Sequence, residues 1–295
     1  MRRVLSLLAA LLVLLVVAGS ATGSTRAEPS SPARATSATV TKLLVFVEEN
    51  HSLAEMRSGM PKTFALAQKY GYATSYDAIT HPSLPNYLAI TSGRTHGVTN
   101  DDPPSTWQLK GHTVFSRAIS AGRTARVYLD AMPGRCALSS SGEYAVKHNA
   151  WAYFPADRSG CDSFDRPLTA FGKNVSSGRL PNAGMVVPDL CNDAHDCKLG
   201  VADDWFAQQM QKVFAGPDWA SGHLAVVLTA DEDDSKSGNR VLTVVIHPSQ
   251  HGNVVSASLN HYSLFELYED VLGLSHLRTQ VQSPSMARAF GLPVS

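Results

Sequence analysis

Ser83 lies between two prolines, in the run His81-Pro82-Ser83-Leu84-Pro85-Asn86-Tyr87. The prolines fix φ on either side and remove two backbone donors, so the hydroxyl is held in a stiff turn. Pro85 suits the first position of a helix that continues through 86–92, which puts Ser83 at or just before a helix N-terminus. Unpaired N–H groups and the helix dipole favour an anion there. A hydroxyl in that place can attack phosphorus while the amides hold the phosphate. Two acidic clusters supply the other half of such chemistry. Glu48-Glu49-Asn50 comes after the apolar run 43–47, and Asp231-Glu232-Asp233-Asp234 after the apolar run 223–229. Carboxylate, amide and serine oxygens are hard ligands that suit calcium, magnesium or manganese, with zinc also accommodated. A cation beside a serine stabilises its alkoxide, and a nearby histidine exchanges a proton with the leaving group. The chemistry expected is metal-assisted transfer of a phosphoryl or sulfuryl group to water.

Each cluster also has a plain structural reading. Ser83 would be a packed loop residue, Asn50 or Ser52 a helix cap, and 231–234 a solvated acidic turn. The position of 231–234 directly after the most apolar run in the chain argues against the last of these. A serine esterase is the other enzymatic reading, but no Gly-x-Ser-x-Gly elbow surrounds Ser83. Phosphate or metal binding without turnover would leave the same clusters intact.

The elements that must position these groups alternate. Strands are expected at 43–47, 124–129, 184–187, 223–229 and 241–246, with helices at 61–70, 86–92, 112–120, 203–214 and 264–272. The pattern predicts an α/β fold with a doubly wound, mostly parallel sheet and helices on both faces. Clusters at strand ends then converge on one rim of the sheet. Segment 130–179 has weak periodicity and holds Cys136, Cys161, Trp151, Tyr153 and Phe154; we expect it to be stapled, with its aromatic residues packed inside.

The 295 residues carry no formal net charge and no basic run, which gives no sign of a nucleic-acid partner. Two arginines, the apolar run 4–18 and then small residues read as a secretory signal peptide, residues 1–27, followed by a flexible leader, 28–39. A single catalytic domain, 40–295, is expected to be exported, with no membrane span after signal cleavage. Four cysteines fit that compartment. Of the three pairings possible, Cys136–Cys161 and Cys191–Cys197 close local loops and are favoured.

The runs Val47-Glu48-Glu49-Asn50-His51-Ser52, His81-Pro82-Ser83-Leu84-Pro85-Asn86-Tyr87, Asn192-Asp193-Ala194-His195 and Asp231-Glu232 resemble, in this order, those of the phosphoesterase family. That family includes bacterial acid phosphatases and non-specific phospholipases C and belongs to the alkaline phosphatase superfamily. The resemblance implies an alkaline phosphatase-like fold and one divalent metal ion held by Glu49, Asn50, Ser83, Asp231 and Glu232. It implies Ser83 as the nucleophile that becomes phosphorylated, Asn86 as a donor to a phosphate oxygen, and His195 near the leaving group. His51, His81 and His247 are weaker candidates. Phospholipase members continue after the Asp-Glu pair with a glycine-rich stretch ending in Asp-His, where this chain has Asp233-Asp234-Ser235-Lys236-Ser237-Gly238-Asn239. Small phosphomonoesters are therefore favoured over phospholipid head groups, with phospholipase C-type diester cleavage as the alternative.

Overall fold

The central strand, Lys42–Glu48, is apolar from Leu43 to Val47 and buried on both faces, as a strand inside a parallel sheet must be. Ala183–Val187 and Leu224–Ala230 flank it in parallel. Ala125–Leu129 and then Asp165–Pro167 extend the sheet on one side. On the other side come Thr243–Ile246, Gly71–Ala73 and Asn253–Val255. Within this eight-stranded sheet only Thr243–Ile246 runs against the rest. The expected fold class is the one observed. The computed structural model describes residues 38–295 except 278, 280 and 281. The signal segment 1–27 and most of the leader lie outside the described residues. No helix among the described residues is long and apolar enough to cross a membrane.

Side chains alternate across the central strand, and so do its partners. Phe46 meets Phe171, Trp205 and Phe206 edge-on, which seats the helices Phe171–Ser176 and Leu199–Ala215 on one face. The opposite face carries Ser83–Ser92 and His261–Leu272; Tyr268 of the latter donates to the Gly184 carbonyl at 2.7 Å. Ser83–Ser92 is buried along its whole length, so it lies inside the molecule rather than on its surface. It ends at Gly93, whose φ of 71° is left-handed and whose missing Cβ leaves room for the Phe265 ring. Ser52 does cap a helix, the short Leu53–Gly59, in a capping box with Glu55. That helix and the small Tyr76–Asp77/Leu259–Asn260 sheet are additional to the elements expected from sequence.

Segment 130–179 folds into short 3-10 turns and the brief helices Arg158–Phe164 and Phe171–Ser176, with Trp151, Tyr153 and Phe154 buried. Both favoured disulfides, Cys136–Cys161 and Cys191–Cys197, are present. Asp165 anchors the same segment and accepts from Asn149 Nδ2 at 2.7 Å. Burial pushes its carboxyl up to about 7, against the lowering influence of Asn149 and Arg166. The folded chain thus keeps a proton between about pH 4 and pH 7 that the unfolded chain has lost. Stability from this group is full below that window and falls as pH rises through it, by about 4 kcal/mol. Melting temperatures at pH 5 and pH 7.5 should differ more for the parent chain than for Asp165→Asn. Equal differences would show that Asp165 does not carry the effect.

Candidate active site

Two strand ends bring the acidic clusters together. Lys42–Glu48 and Leu224–Ala230 pair in register, with Glu48 opposite Ala230, so Glu49-Asn50 and Asp231-Glu232 leave the sheet side by side. The Asp231 amide donates to the Glu48 carbonyl at 3.0 Å, and the Asn50 amide to Asp231 Oδ1 at 3.3 Å. Asn50 turns the chain there with φ of 52°, a left-handed conformation that asparagine tolerates better than most residues. Glu49 and Asp231 are fully buried and Glu232 nearly so; none of the three belongs to a solvated turn. Asp233 is buried as well. It accepts from the amides of Ser235, Ser237 and Asn239 and so holds the loop that replaces a glycine-rich stretch.

Ser83 reaches the same place from the opposite direction. The helix begins at Ser83 itself, not at Pro85, and Pro85 sits within the first turn, where a missing N–H costs nothing. Ser83 Oγ donates to Glu49 Oε2 at 3.1 Å and accepts from Lys147 Nζ at 3.1 Å. The expectation that free helix amides hold a phosphate needs correction at one position. The Leu84 N–H donates to Asp101 Oδ1 at 2.9 Å. Asn86 also departs from expectation. Its Nδ2 faces the carbonyls of Thr80 and Pro82 and Glu232 Oε2, while its Oδ1 accepts from the amides of Ile79 and Thr80. With both amide hydrogens so used, Asn86 shapes the turn before Ser83 and orients Glu232.

The histidine against Glu49 is His148, which the sequence reading did not single out. Its Nε2 lies 2.9 Å from Glu49 Oε1, its Nδ1 3.6 Å from Asp193 Oδ2, and its ring stacks on Tyr87 at 5.0 Å. Its neighbour Lys147 lies 3.8 Å from Glu49 Oε2 and 3.5 Å from Asp101 Oδ2. Both come from segment 130–179, so its first turns form a wall of the site. His195 is placed differently from expectation. Its amide caps Asp193 Oδ1 at 2.8 Å, while its ring turns to Asp196 at 2.7 Å. His81 lies 3.2 Å from Glu232 Oε2 and 3.2 Å from Asp233 Oδ1, at the open side of the cluster. His51 meets the Ala194 carbonyl, and His247 is held between Ser249 and the Gly222 carbonyl. His261 is buried and contacts the Asp231 carbonyl at 2.6 Å, supporting that strand end from beneath.

The buried carboxyls of the site are driven apart in their proton affinity. Burial raises the Glu49 carboxyl, but His148 and Lys147 outweigh it and hold Glu49 down at about 2. The other carboxyls are forced the opposite way. Burial, and then Glu49, push Asp231 well up and Asp193 up to about 10; burial, Glu49 and Asp101 push Glu232 up to about 8. Three buried oxygens, Asn50 Oδ1, Asp231 Oδ2 and Asp193 Oδ2, have no hydrogen-bond partner, and Glu49 Oε1 faces His148 Nε2 at 2.9 Å. Buried polar atoms normally find partners, and these converge on one region from several elements. Glu49, His148 and Asp193 alone present ligand atoms within 4.8 Å of one another. Carboxylate and amide oxygens with one imidazole fit a divalent cation, whose binding would compete with the protons that burial and then mutual repulsion favour on these carboxyls.

The chain matches the model of the phosphoesterase family over residues 56–275. It is 28% identical over 257 residues to a phosphatidylinositol-3-phosphatase of Mycobacterium tuberculosis, covering 86% of this chain and 84% of that one. It is 31% identical over 218 residues to a phosphate-repressible acid phosphatase of Penicillium chrysogenum, covering 68% of this chain and 51% of that relative's length. Among solved structures, an alkaline phosphatase superfamily protein from Vibrio parahaemolyticus superposes with a TM-score of 0.59 at 11% identity, covering 81% of this chain and 68% of that one. Human ectonucleotide pyrophosphatase/phosphodiesterase 5 gives 0.58 at 8%, covering 82% and 97%. At such identities these two likenesses speak for the fold alone. With the family model spanning most of the chain, the protein belongs to the phosphoesterase family and is a hydrolase of phosphate esters.

Proposed function

We propose that the protein is an exported, metal-dependent phosphomonoesterase that works through a phosphoserine at Ser83. The observation that carries this reading is the placement of Ser83 Oγ, 3.1 Å from both the Glu49 carboxylate and the Lys147 ammonium at the first residue of a buried helix. Glu49, held ionised, takes the hydrogen of the hydroxyl and fixes the direction of its lone pairs. Lys147 faces the oxygen that must carry negative charge as it attacks phosphorus, which lowers the cost of that charge. Glu49, Asn50, Ser83, Asp231 and Glu232 would hold the divalent ion, with His148 and Asp193 as further donors. When bound, that ion supplies Lewis-acid stabilisation of phosphate and serine oxygens. His81, at the open side 3.2 Å from Glu232, is the imidazole available to a leaving oxygen. The phosphoryl group passes to Ser83 as the ester oxygen leaves with a proton, and water then cleaves the phosphoserine to inorganic phosphate. Two disulfides and the apolar N-terminal run support export.

Likeness to a phosphatidylinositol-3-phosphatase over 84% of that relative favours a second reading, in which the monoester is borne by an inositol lipid head group. The two readings share one bond type, and a substrate panel separates them from diester cleavage. We expect hydrolysis of p-nitrophenyl phosphate and little of bis(p-nitrophenyl) phosphate. Phosphate release from vesicles carrying phosphatidylinositol 3-phosphate at higher kcat/KM than from the soluble monoester would establish the lipid reading. Preferential cleavage of the diester would overturn monoester hydrolysis.

A further inference from the structure

The polar turn 99–104 carries Asp101, whose carboxylate is placed where a substrate's phosphate has to go. Its Oδ1 accepts from the Leu84 N–H at 2.9 Å, and its Oδ2 lies 3.5 Å from Lys147 Nζ. Those donors are the backbone amide next to Ser83 and the ammonium that also contacts Ser83 Oγ. Both suit an oxygen of a phosphoryl group held for attack by that hydroxyl, and each is engaged by a carboxylate of this chain. The turn is anchored, because Trp107 Nε1 donates to Asn100 Oδ1 at 2.6 Å and Asn100 Nδ2 to Asp102 Oδ2 at 2.9 Å. The Asp101 side chain itself is about 29% exposed, so it can turn outward to solvent while its backbone stays in place.

We infer that Asp101 is a resident stand-in for a phosphate oxygen and sets the affinity of the site for the phosphoryl group. The inference rests on the reading of Ser83 as nucleophile. An incoming phosphate must displace the carboxylate from the Leu84 N–H and from Lys147, and after hydrolysis the carboxylate returns and helps expel inorganic phosphate. Asp101 is thus a specificity residue that acts by competition. It penalises every phosphate anion, including the product, and it keeps Lys147 and the helix amide in place between turnovers. A substrate that adds contacts beyond its phosphate offsets the penalty, whereas bare phosphate binds with the penalty in full.

The test is calorimetric titration of inorganic phosphate into the metal-loaded protein, for the parent chain, Asp101→Asn and Asp101→Ala. Asp101→Asn keeps an acceptor for the Leu84 N–H and removes only the charge; Asp101→Ala removes both. Freeing one charge-assisted contact should tighten phosphate binding about tenfold in each variant. The inhibition constant of phosphate against p-nitrophenyl phosphate hydrolysis should fall in step. If the parent chain binds phosphate and both variants bind it equally or more weakly, Asp101 is no competitor and the inference is overturned, with the reading of Ser83 untouched. If the parent chain hydrolyses no monoester and phosphate does not bind at all, the underlying reading fails, and this inference with it.

Discussion

Ser83→Ala should abolish turnover while leaving the fold and the metal carboxylates in place. The hydroxyl is buried, and removing it takes away one hydrogen bond to Glu49 and one from Lys147, at a stability cost of about 1 kcal/mol. The catalytic cost is of another order. Loss of a nucleophile that works as a unit with its neighbours lowers kcat on the order of 10⁴- to 10⁶-fold. Phosphate should still bind to the metal-loaded protein, because Lys147, the Leu84 amide and the carboxylates that would hold the ion remain. Ser83→Thr keeps the hydroxyl and adds one methyl at a position only 1% exposed, so it should retain part of the activity. Steady-state kinetics with calorimetric phosphate binding reads both effects. A kcat near the parent value in Ser83→Ala would transfer the nucleophile's role to water.

Glu49→Ala and Asp231→Ala should each lose bound metal. Glu49 links the two halves of the cluster: Oε2 faces Ser83 and Lys147, and Oε1 faces His148. Asp231 has one oxygen engaged by backbone amides and the other without a hydrogen-bond partner. Removing either takes an anionic donor from a site whose affinity depends on several of them acting together. Elemental analysis after dialysis should show a drop in metal content of about tenfold or more, with circular dichroism unchanged. Because burial and then Glu49 raise Asp231, Glu232 and Asp193, protons compete with a cation for these oxygens, and metal affinity in the parent chain should also fall as pH is lowered. Full metal content in either variant would remove that residue from the set of ligands.

The sheet and its acidic rim were legible in the sequence because they rest on strong local signals. Apolar runs such as 43–47 and 223–229 admit little besides a buried strand, and the residues just past the carboxyl end of a parallel strand lie at the rim. Ser83 was legible for a similar reason, since prolines and a helix pattern mark its turn. The same information cannot say which side chains meet across the rim. His195 lies in a recognisable run, yet the tight Cys191–Cys197 loop turns its ring toward Asp196. Asn86 has the right position but is used by the backbone of its own turn. Lys147 and His148 arrive from segment 130–179, where neither period of 2 nor of 3.6 is visible. One local signal was present: Lys147-His148-Asn149 is a polar triplet next to Trp151, Tyr153 and Phe154. Buried aromatic residues on a stapled segment carry adjacent polar groups inward with them, and a polar group taken inward needs a partner or a function. Asp101 was equally hidden, since a polar turn such as 99–104 reads as solvent-facing until the helix it caps is seen.

The central claim is that phosphate passes through Ser83, and acid quenching during turnover tests it most directly. A phosphoserine ester survives acid, so metal-loaded protein quenched within a few turnovers should yield a phosphorylated tryptic peptide. Cleavage after Lys69 and Arg94 isolates Ser83 on peptide 70–94, where fragmentation separates it from Ser75 and Ser92. We expect one added phosphate on Ser83, dependent on substrate and metal and absent from Ser83→Ala. Hydrolysis proceeding at the parent rate with no label on peptide 70–94, at any quench time within the first turnovers, would contradict a phosphoserine intermediate.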